Sequence, residues 1–231
     1  GSGKTRVITT KIAYMIDELG ILPWNILAVT FTKKAASEMA ERAKHLSPNA
    51  VKSHIRTFHS FGSWFLRLYA SNAAIDPNFT VYDEDDMVTL LLKAVPSLNR
   101  QQASYIAHKI SLAKDYCLTP DSSELSTIES SPEFPIYYAT YEKKLRQTGN
   151  VDFGDLIMLP VLLMEVDESV RIDMHSRFHV VLVDEYQDSN VAQFKLLQQL
   201  VGKNTYVCVV GDDDQSIYKF RGAEVQNILT F

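Results

Sequence analysis

Three short apolar runs in this chain each lead into polar or acidic residues, and this pattern constrains the fold most strongly. The runs are residues 26–29, 180–183 and 206–210. Their continuous apolar character is typical of strands that are buried on both faces of a parallel sheet. Polar side chains at the carboxyl ends of such strands meet at one edge of the sheet, where α/β proteins bind their ligands.

Segments with helical periodicity alternate with these strands. Apolar residues recur at helical spacing from Ile8 to Leu19, from Ala36 to Ala43 and from Val191 to Val201. Thr32 is suited to cap the second of these helices. Strands that alternate with helices predict an α/β fold with a parallel sheet.

The middle of the chain has a different composition. No glycine occurs between Ser63 and Thr148, and the apolar residues there follow helical spacing. Tyr137, Tyr138 and Tyr141 share one helix face, which we interpret as core. We therefore predict three domain segments: 1–80 and 151–231 form one α/β domain, and 81–150 form a helical insertion.

Composition excludes several classes of protein. With 46% hydrophobic and 22% charged residues among 231, the chain can bury a sizeable core and is not disordered. The longest apolar stretch, residues 156–164, contains Pro160 and is too short to span a membrane. Cys117 and Cys208 are far apart without CxxC spacing, which indicates a reducing, cytoplasmic setting rather than a disulfide or zinc framework.

The chain opens with Gly1-Ser2-Gly3-Lys4-Thr5, the closing half of the phosphate-binding pattern GxxxxGK[ST]. Backbone N–H groups at such a helix start bind phosphate oxygens, while Lys4 would neutralise phosphate charge. The hydroxyl of Thr5 would serve Mg²⁺, which prefers oxygen ligands. The alternative is a Gly/Ser turn that only caps a helix. Because the first half of the pattern is missing, we expect a piece of a longer protein.

A pair of carboxylates follows the strand at 180–183. Asp184 can hold Mg²⁺ through a water molecule, and Glu185 can act as the general base that polarises an attacking water in phosphoryl transfer. Alternatively, the acidic residues favour the N-terminal dipole of a following helix. That alternative explains Asp188 better than it explains the Asp184-Glu185 pair.

Six motifs occur in a characteristic order along the chain. They are GSGKT at 1–5, TFTKKAASEM at 30–39, TFHSF at 57–61, DFGDLI at 152–157, VDEYQDSN at 183–190 and VGDDDQSIYKFRGA at 210–223. Together they resemble the motifs of the UvrD/Rep/PcrA family of superfamily 1 DNA helicases. The resemblance extends over the whole chain, with motifs dense only outside the insertion.

The resemblance implies a P-loop (RecA-like) parallel sheet with helices on both faces and an inserted all-α subdomain. It implies an ATP-dependent DNA helicase that uses ATP and Mg²⁺, moves on single-stranded DNA and unwinds duplex DNA in DNA repair or replication. In the family, ATP lies between this domain and a second RecA-like domain that carries arginine fingers. The C-terminal helicase domains are therefore expected partners, no membrane is involved, and this piece alone is not expected to be a competent enzyme.

The resemblance also implies site residues. Lys4, Asp184 and Glu185 would be catalytic, with Gln215 sensing the γ-phosphate and Arg221 beside it. The remaining residues implied are Gly1, Ser2, Gly3, Thr5 and Arg6 for the nucleotide and Phe31, Thr32, His59, Tyr218 and Phe220 for single-stranded DNA. Aromatic rings suit DNA because every base has a π face on which they can stack. Two departures are Phe220, where the family commonly has Trp, and Gly154, which replaces a usual Asp and is compatible with a local turn or an altered helix start.

Three other functions compete with this interpretation. A GTPase-like switch would share the phosphate loop, but the chain contains no NKxD string and the motifs at 57–61 and 210–223 would be unexplained. A helicase-nuclease of the same superfamily would have a similar motor and a nuclease far downstream. A noncatalytic DNA-binding scaffold is disfavoured for the full-length protein by Lys4, Asp184 and Glu185.

Overall fold

The computed structural model describes residues 2–211 and 228–230, and the chain forms two compact units. The sheet unit comprises Gly1–Phe61, Met164–Ser189 and Phe194–Phe231, and the helical unit comprises Gly62–Leu163 and Asn190–Gln193. The domain boundaries near 80 and 150 stay a prediction.

The described ranges contain the following regular elements. The strands are β1 Ile26–Thr30, β2 His54–Thr57, β3 Val81–Tyr82, β4 Val151–Asp152, β5 Val180–Asp184, β6 Tyr206–Val210 and β7 Ile228–Thr230. The α-helices are α1 Ser2–Asp17, α2 Lys33–Leu46, α3 Phe58–Leu68, α4 Ala70–Ala73, α5 Glu84–Ala94, α6 Arg100–Asp115, α7 Phe134–Gln147, α8 Asp155–Val166, α9 Glu168–Arg177 and α10 Val191–Leu200. None of these helices has the length and apolar content that crossing a lipid bilayer requires.

Five parallel strands form the sheet of the sheet unit, in the order β2-β1-β5-β6-β7. In the register, Ala28 of β1 lies beside Leu182 of β5, and Leu182 lies beside Cys208 of β6. Every residue of β1 and β5 is buried, as expected for parallel strands that are covered on both faces. The predicted α/β fold with a parallel sheet is confirmed.

Helix α1 packs its apolar face on this sheet. Ile8, Ile12 and Met15 are buried together with Ile26 and other strand residues. The prediction that Leu19 belongs to the same face is wrong, because α1 ends at Asp17 and Leu19 is 56% exposed. The helix ends there as the chain turns, and Gly20 adopts a positive φ of 68° that side chains disfavour.

Helix α2 begins as the sequence predicts. The hydroxyl of Thr32 accepts a hydrogen bond from the Ala35 backbone N–H at 3.0 Å, which satisfies one of the unpaired donors of the first turn. Met39 and Ala43 are the buried residues of this helix. The cap matters for function because it fixes where the chain leaves β1 and enters α2.

In the helical unit, α5, α6 and α7 pack around one apolar core. Tyr138 and Tyr141 are completely buried there, and Tyr137 packs against the same core. The interpretation of these tyrosines as core is confirmed. The unit also contains the short parallel pair β3–β4, in which Val81 lies beside Val151.

A buried lysine of α6 contacts three other elements of the helical unit, namely β4, α7 and α8. Lys114 of α6 is 1% exposed, and its Nζ donates to Asp152 Oδ2 at 2.6 Å and to Asp155 Oδ1 at 2.8 Å. It also pairs with Glu142 of α7, while Arg146 pairs with the second oxygen of Asp155 at 2.8 Å. Burial opposes the charged form of Lys114, yet the three carboxylates raise its pKa well above the ordinary value.

Gly154 lies in the turn between β4 and α8, as expected for this departure from the family motif. A Cβ atom at this position would lie 2.9 Å from Cβ of Lys114, which is too close for any side chain. The glycine is therefore required by the close approach of the lysine. Asp152 and Asp155 cap each other's backbone N–H groups across the same turn, at 2.9 and 3.0 Å.

We expect Lys114→Met to lower the free energy of unfolding by about 3–5 kcal/mol, because it leaves buried carboxylates without their cation. Lys143→Met is the matched control, since Lys143 is exposed on α7, and it should change stability by less than about 0.5 kcal/mol. Urea unfolding followed by circular dichroism measures both. A loss for Lys114→Met no greater than that of the control would contradict this interpretation.

Candidate nucleotide and DNA site

The carboxyl ends of β1, β5 and β6 bring the predicted site residues to one edge of the sheet. Phe31 and Thr32 follow β1, Asp184 is the last residue of β5, and the motif at 210–223 begins at Val210, the last residue of β6. These strands are direct neighbours and parallel. The site therefore lies at the edge where open parallel sheets bind ligands.

Helix α1 contributes its N-terminal end to this edge. Its first turn contains no acidic residue, and the backbone N–H groups at the start of a helix suit an anion. The Thr5 hydroxyl donates to Asp184 Oδ2 at 3.5 Å, although 179 positions separate the two residues. The structure thus brings together the residues predicted to serve a phosphate-bound Mg²⁺.

Asp184 is the chemically most distinctive residue of the site. Its side chain is 3% exposed, and its Oδ1 atom has no hydrogen-bond partner in the described part of the chain. Burial raises the pKa of this carboxyl, and the neighbouring charge of Glu185 raises it further. A cation would satisfy the free oxygen and oppose both effects, so the residues present fit Mg²⁺.

Glu185 follows Asp184 in an unusual backbone conformation. Its φ of 53° and ψ of 41° lie in the left-handed region, which glycine adopts far more readily than glutamate. Such strain concentrates at functional sites, where the surrounding structure enforces it. Its Oε2 atom accepts a hydrogen bond from Gln187 Nε2 at 2.6 Å. Gln187 was not among the site residues predicted from the sequence. The only sequence signal for a role at the site was its place in the motif at 183–190.

Two of the residues predicted to contact DNA, Phe31 and His59, lie just after the ends of two neighbouring strands. Phe31 follows β1 and His59 follows β2, and these strands pair as far as Thr30 and Thr57. Phe31 is half-buried, with its ring centroid 4.9 Å from that of the buried Phe58. Phe58 thus supports the Phe31 ring. Phe58 lies inside the motif at 57–61, but the spacing of residues alone could not predict that it packs against Phe31.

Thr32 and Arg6 are exposed, and the Thr32 hydroxyl is engaged in capping α2. The roles of both residues at the site stay predictions. Further predicted site residues lie outside the described residues, namely Gly1, Gln215, Tyr218, Phe220 and Arg221, as do the side chains of Ser2 and Lys4.

Comparison with known proteins identifies close relatives of this chain. Residues 1–231 match the UvrD/REP helicase N-terminal domain family. The chain is 40% identical to the ATP-dependent DNA helicases PcrA of Bacillus subtilis, Staphylococcus epidermidis and Staphylococcus aureus. All of this chain is covered in each case, but it spans only 32% of the length of those relatives.

The burial of His59 makes the sheet unit sensitive to acid. Burial lowers the pKa of His59 from 6.5 to about 4. Because His59 binds a proton more readily in the unfolded chain, the stability that the neutral imidazole contributes is fully present above pH 6.5. This contribution is lost as the pH falls toward 4. The pKa of His54 is also lowered to about 4, mainly by burial and to a smaller extent by the positive charges of Arg56 and Arg177.

We expect His59→Gln to reduce the loss of stability between pH 6.5 and about pH 4 by about 1–3 kcal/mol relative to the unsubstituted chain. The control is His45→Gln, because His45 is exposed at the end of α2. Urea unfolding midpoints over this pH range provide the measurement. If the two variants show the same pH dependence as the unsubstituted chain, burial of His59 does not contribute to acid sensitivity.

Proposed function

The chain belongs to the UvrD/REP helicase family by its N-terminal domain, and we propose that it is the ATP-binding motor segment of an ATP-dependent DNA helicase. The full-length protein would move along single-stranded DNA and unwind duplex DNA, driven by ATP hydrolysis. The observation that carries this proposal is the buried Asp184 carboxylate, with one oxygen facing Thr5 and the other without a partner among the described residues. A divalent cation bound to a nucleotide would give this second oxygen a partner.

Phosphate binding would use the start of α1. Its backbone N–H groups would donate to phosphate oxygens, and the helix dipole favours their negative charge. Lys4, one residue before Thr5, would add a positive charge to the β- and γ-phosphates. No acidic side chain in the first turn opposes this binding.

Thr5 and Asp184 would hold Mg²⁺, directly or through water, and when bound the ion would neutralise charge that develops on the phosphates. Glu185 would accept the proton of the attacking water as general base. It suits this role because it directly follows Asp184, the residue proposed to hold Mg²⁺, at the end of β5.

The complete reaction would require parts outside this chain. Because the relatives are about three times as long, we propose that C-terminal helicase domains of the same protein close over the ATP and supply arginine side chains. Gln215 would sense the γ-phosphate, with Arg221 beside it. An arginine supplied in this way is worth about 10³- to 10⁵-fold in related phosphoryl transfers.

Single-stranded DNA would bind through Phe31, Thr32, His59, Tyr218 and Phe220. The contact between Phe31 and the buried Phe58 supports this proposal, because a ring that is packed from one side can present its other face to a base. Within the described residues Cys117 and Cys208 form no disulfide bond. We propose that the protein acts in DNA repair and replication in the cytoplasm, a reducing compartment where thiols are usual. A helicase-nuclease would share every feature described here.

In the full-length protein, Glu185→Gln should keep ATP affinity but lower turnover by about 10²- to 10⁴-fold, since an amide cannot accept the proton of water. Lys4→Ala should instead weaken ATP binding itself. Glu165→Gln, at an exposed position of α8, should change neither quantity. Nucleotide titration and DNA-stimulated ATPase assays separate the three variants. An equal loss of ATP affinity in Glu185→Gln and Lys4→Ala would refute the assigned roles.

In the same protein, Phe220→Ala should weaken binding of single-stranded DNA by about five- to 150-fold, the range expected for one base stacked on an aromatic ring. It should slow unwinding more than ATP hydrolysis, and Phe220→Trp should be tolerated. Thermal unfolding is measured beside DNA affinity. Large destabilisation with unchanged DNA affinity in the folded fraction would show that Phe220 is a core residue instead.

A further inference from the structure

The side chain of Gln187 connects the ends of two neighbouring strands. It follows β5 by three residues, and its Nε2 atom donates to Glu185 Oε2 at 2.6 Å. A hydrogen bond of this length to a carboxylate belongs to the strong, charge-assisted class. Gln187 therefore holds the side chain to which we assign the proton transfer.

The other end of this amide lies against Gly211, directly after β6. A Cβ atom on Gly211 would lie 2.5 Å from Gln187 Oε1, closer than real Cβ contacts allow. The backbone of Gly211 does not have the positive φ that would itself call for glycine. The carboxamide of Gln187 therefore fills the space beside Gly211, and a side chain at this position would displace it.

The backbone and the side chain of Glu185 are thus both restricted. Its left-handed backbone sets the direction in which the side chain leaves the strand end. A glutamate side chain still has several rotatable bonds, and ordering it costs conformational entropy. The hydrogen bond from Gln187 favours one conformation of the Glu185 side chain. Such preorganisation of a reacting group is what catalysis requires.

We propose that Gln187 is a positioning residue that aims the Glu185 carboxylate at the attacking water, and that Gly211 provides the space for it. This inference rests on the proposed function of Glu185 as general base. Gln187 itself would not touch the reacting atoms. Because Gly211 also begins the segment that leads to Gln215, the same amide links the general base to the segment proposed to sense the γ-phosphate.

The test is a double-substitution cycle in the full-length protein. Gln187→Met keeps the length of the side chain and removes the hydrogen bond, while Gly211→Ala displaces the carboxamide by steric contact with its flexible end. Each should lower the DNA-stimulated kcat by about 10- to 100-fold, as a displacement of about 1 Å can do. ATP affinity should stay within about two-fold, because the interaction acts on the reaction step.

The combined variant separates positioning from folding. Gln187→Met with Gly211→Ala should lose no more activity than Gln187→Met alone, since the methyl group then has no carboxamide to displace. Independent, multiplicative losses would overturn the link to Gly211. Gln147→Met, at the exposed end of α7, is the matched control and should retain full activity. An unchanged kcat in correctly folded Gln187→Met would overturn the proposal.

A crystal structure of this chain with Gln187→Met provides a readout that does not depend on catalysis. We expect the Glu185 carboxylate to leave its position or to occupy several positions. A carboxylate that stays in place would overturn the positioning role. If the unsubstituted full-length protein hydrolyses no ATP, the proposed function fails, while the crystallographic comparison still decides whether Gln187 orders Glu185.

Discussion

The parallel pairing of β1, β5 and β6 is the constraint on which the rest of the site depends. Parallel strands end at the same edge of the sheet, so the residues that follow them meet although they are distant in the chain. Thr30, Asp184 and Val210 are the last residues of the three strands, and Asp184 lies beside Val210 in the register. Several of the residues that we propose for a nucleotide and for DNA thereby lie at one edge of the sheet.

Two groups of buried carboxylates in this chain illustrate opposite solutions to the cost of burying charge. Asp152 and Asp155 have the cation of Lys114 beside them, and together with Arg146 they form a satisfied network within the helical unit. Asp184 accepts hydrogen bonds from the Thr5 hydroxyl and from the backbone N–H of Glu185, and within the described residues its Oδ1 atom has no partner. The first group stabilises the fold, whereas the second is suited to a ligand that brings its own cation.

Much of the architecture could be predicted from local patterns. The strands at 26–29, 180–183 and 206–210, the cap at Thr32 and the tyrosine face of α7 follow from apolar spacing and capping chemistry. Strand β2 could not be found in this way, because its residues are polar or only half-buried. Among the described strands it lies at the edge of the sheet, beside β1 alone, so an apolar run is not required there.

The sequence by itself determined the class of fold, the order of the motifs and the pair Asp184-Glu185, because these depend on residue types and on short spacings. Only the tertiary structure decided which distant side chains meet. The contacts of Thr5 with Asp184 and of Lys114 with Asp152 join residues that no periodicity connects. The same is true of Gly154 and Gly211, because the side chains of Lys114 and Gln187 occupy the space beside them. Such contacts depend on where strands and helices are placed, and that placement minimises the free energy of the whole chain rather than of any local segment.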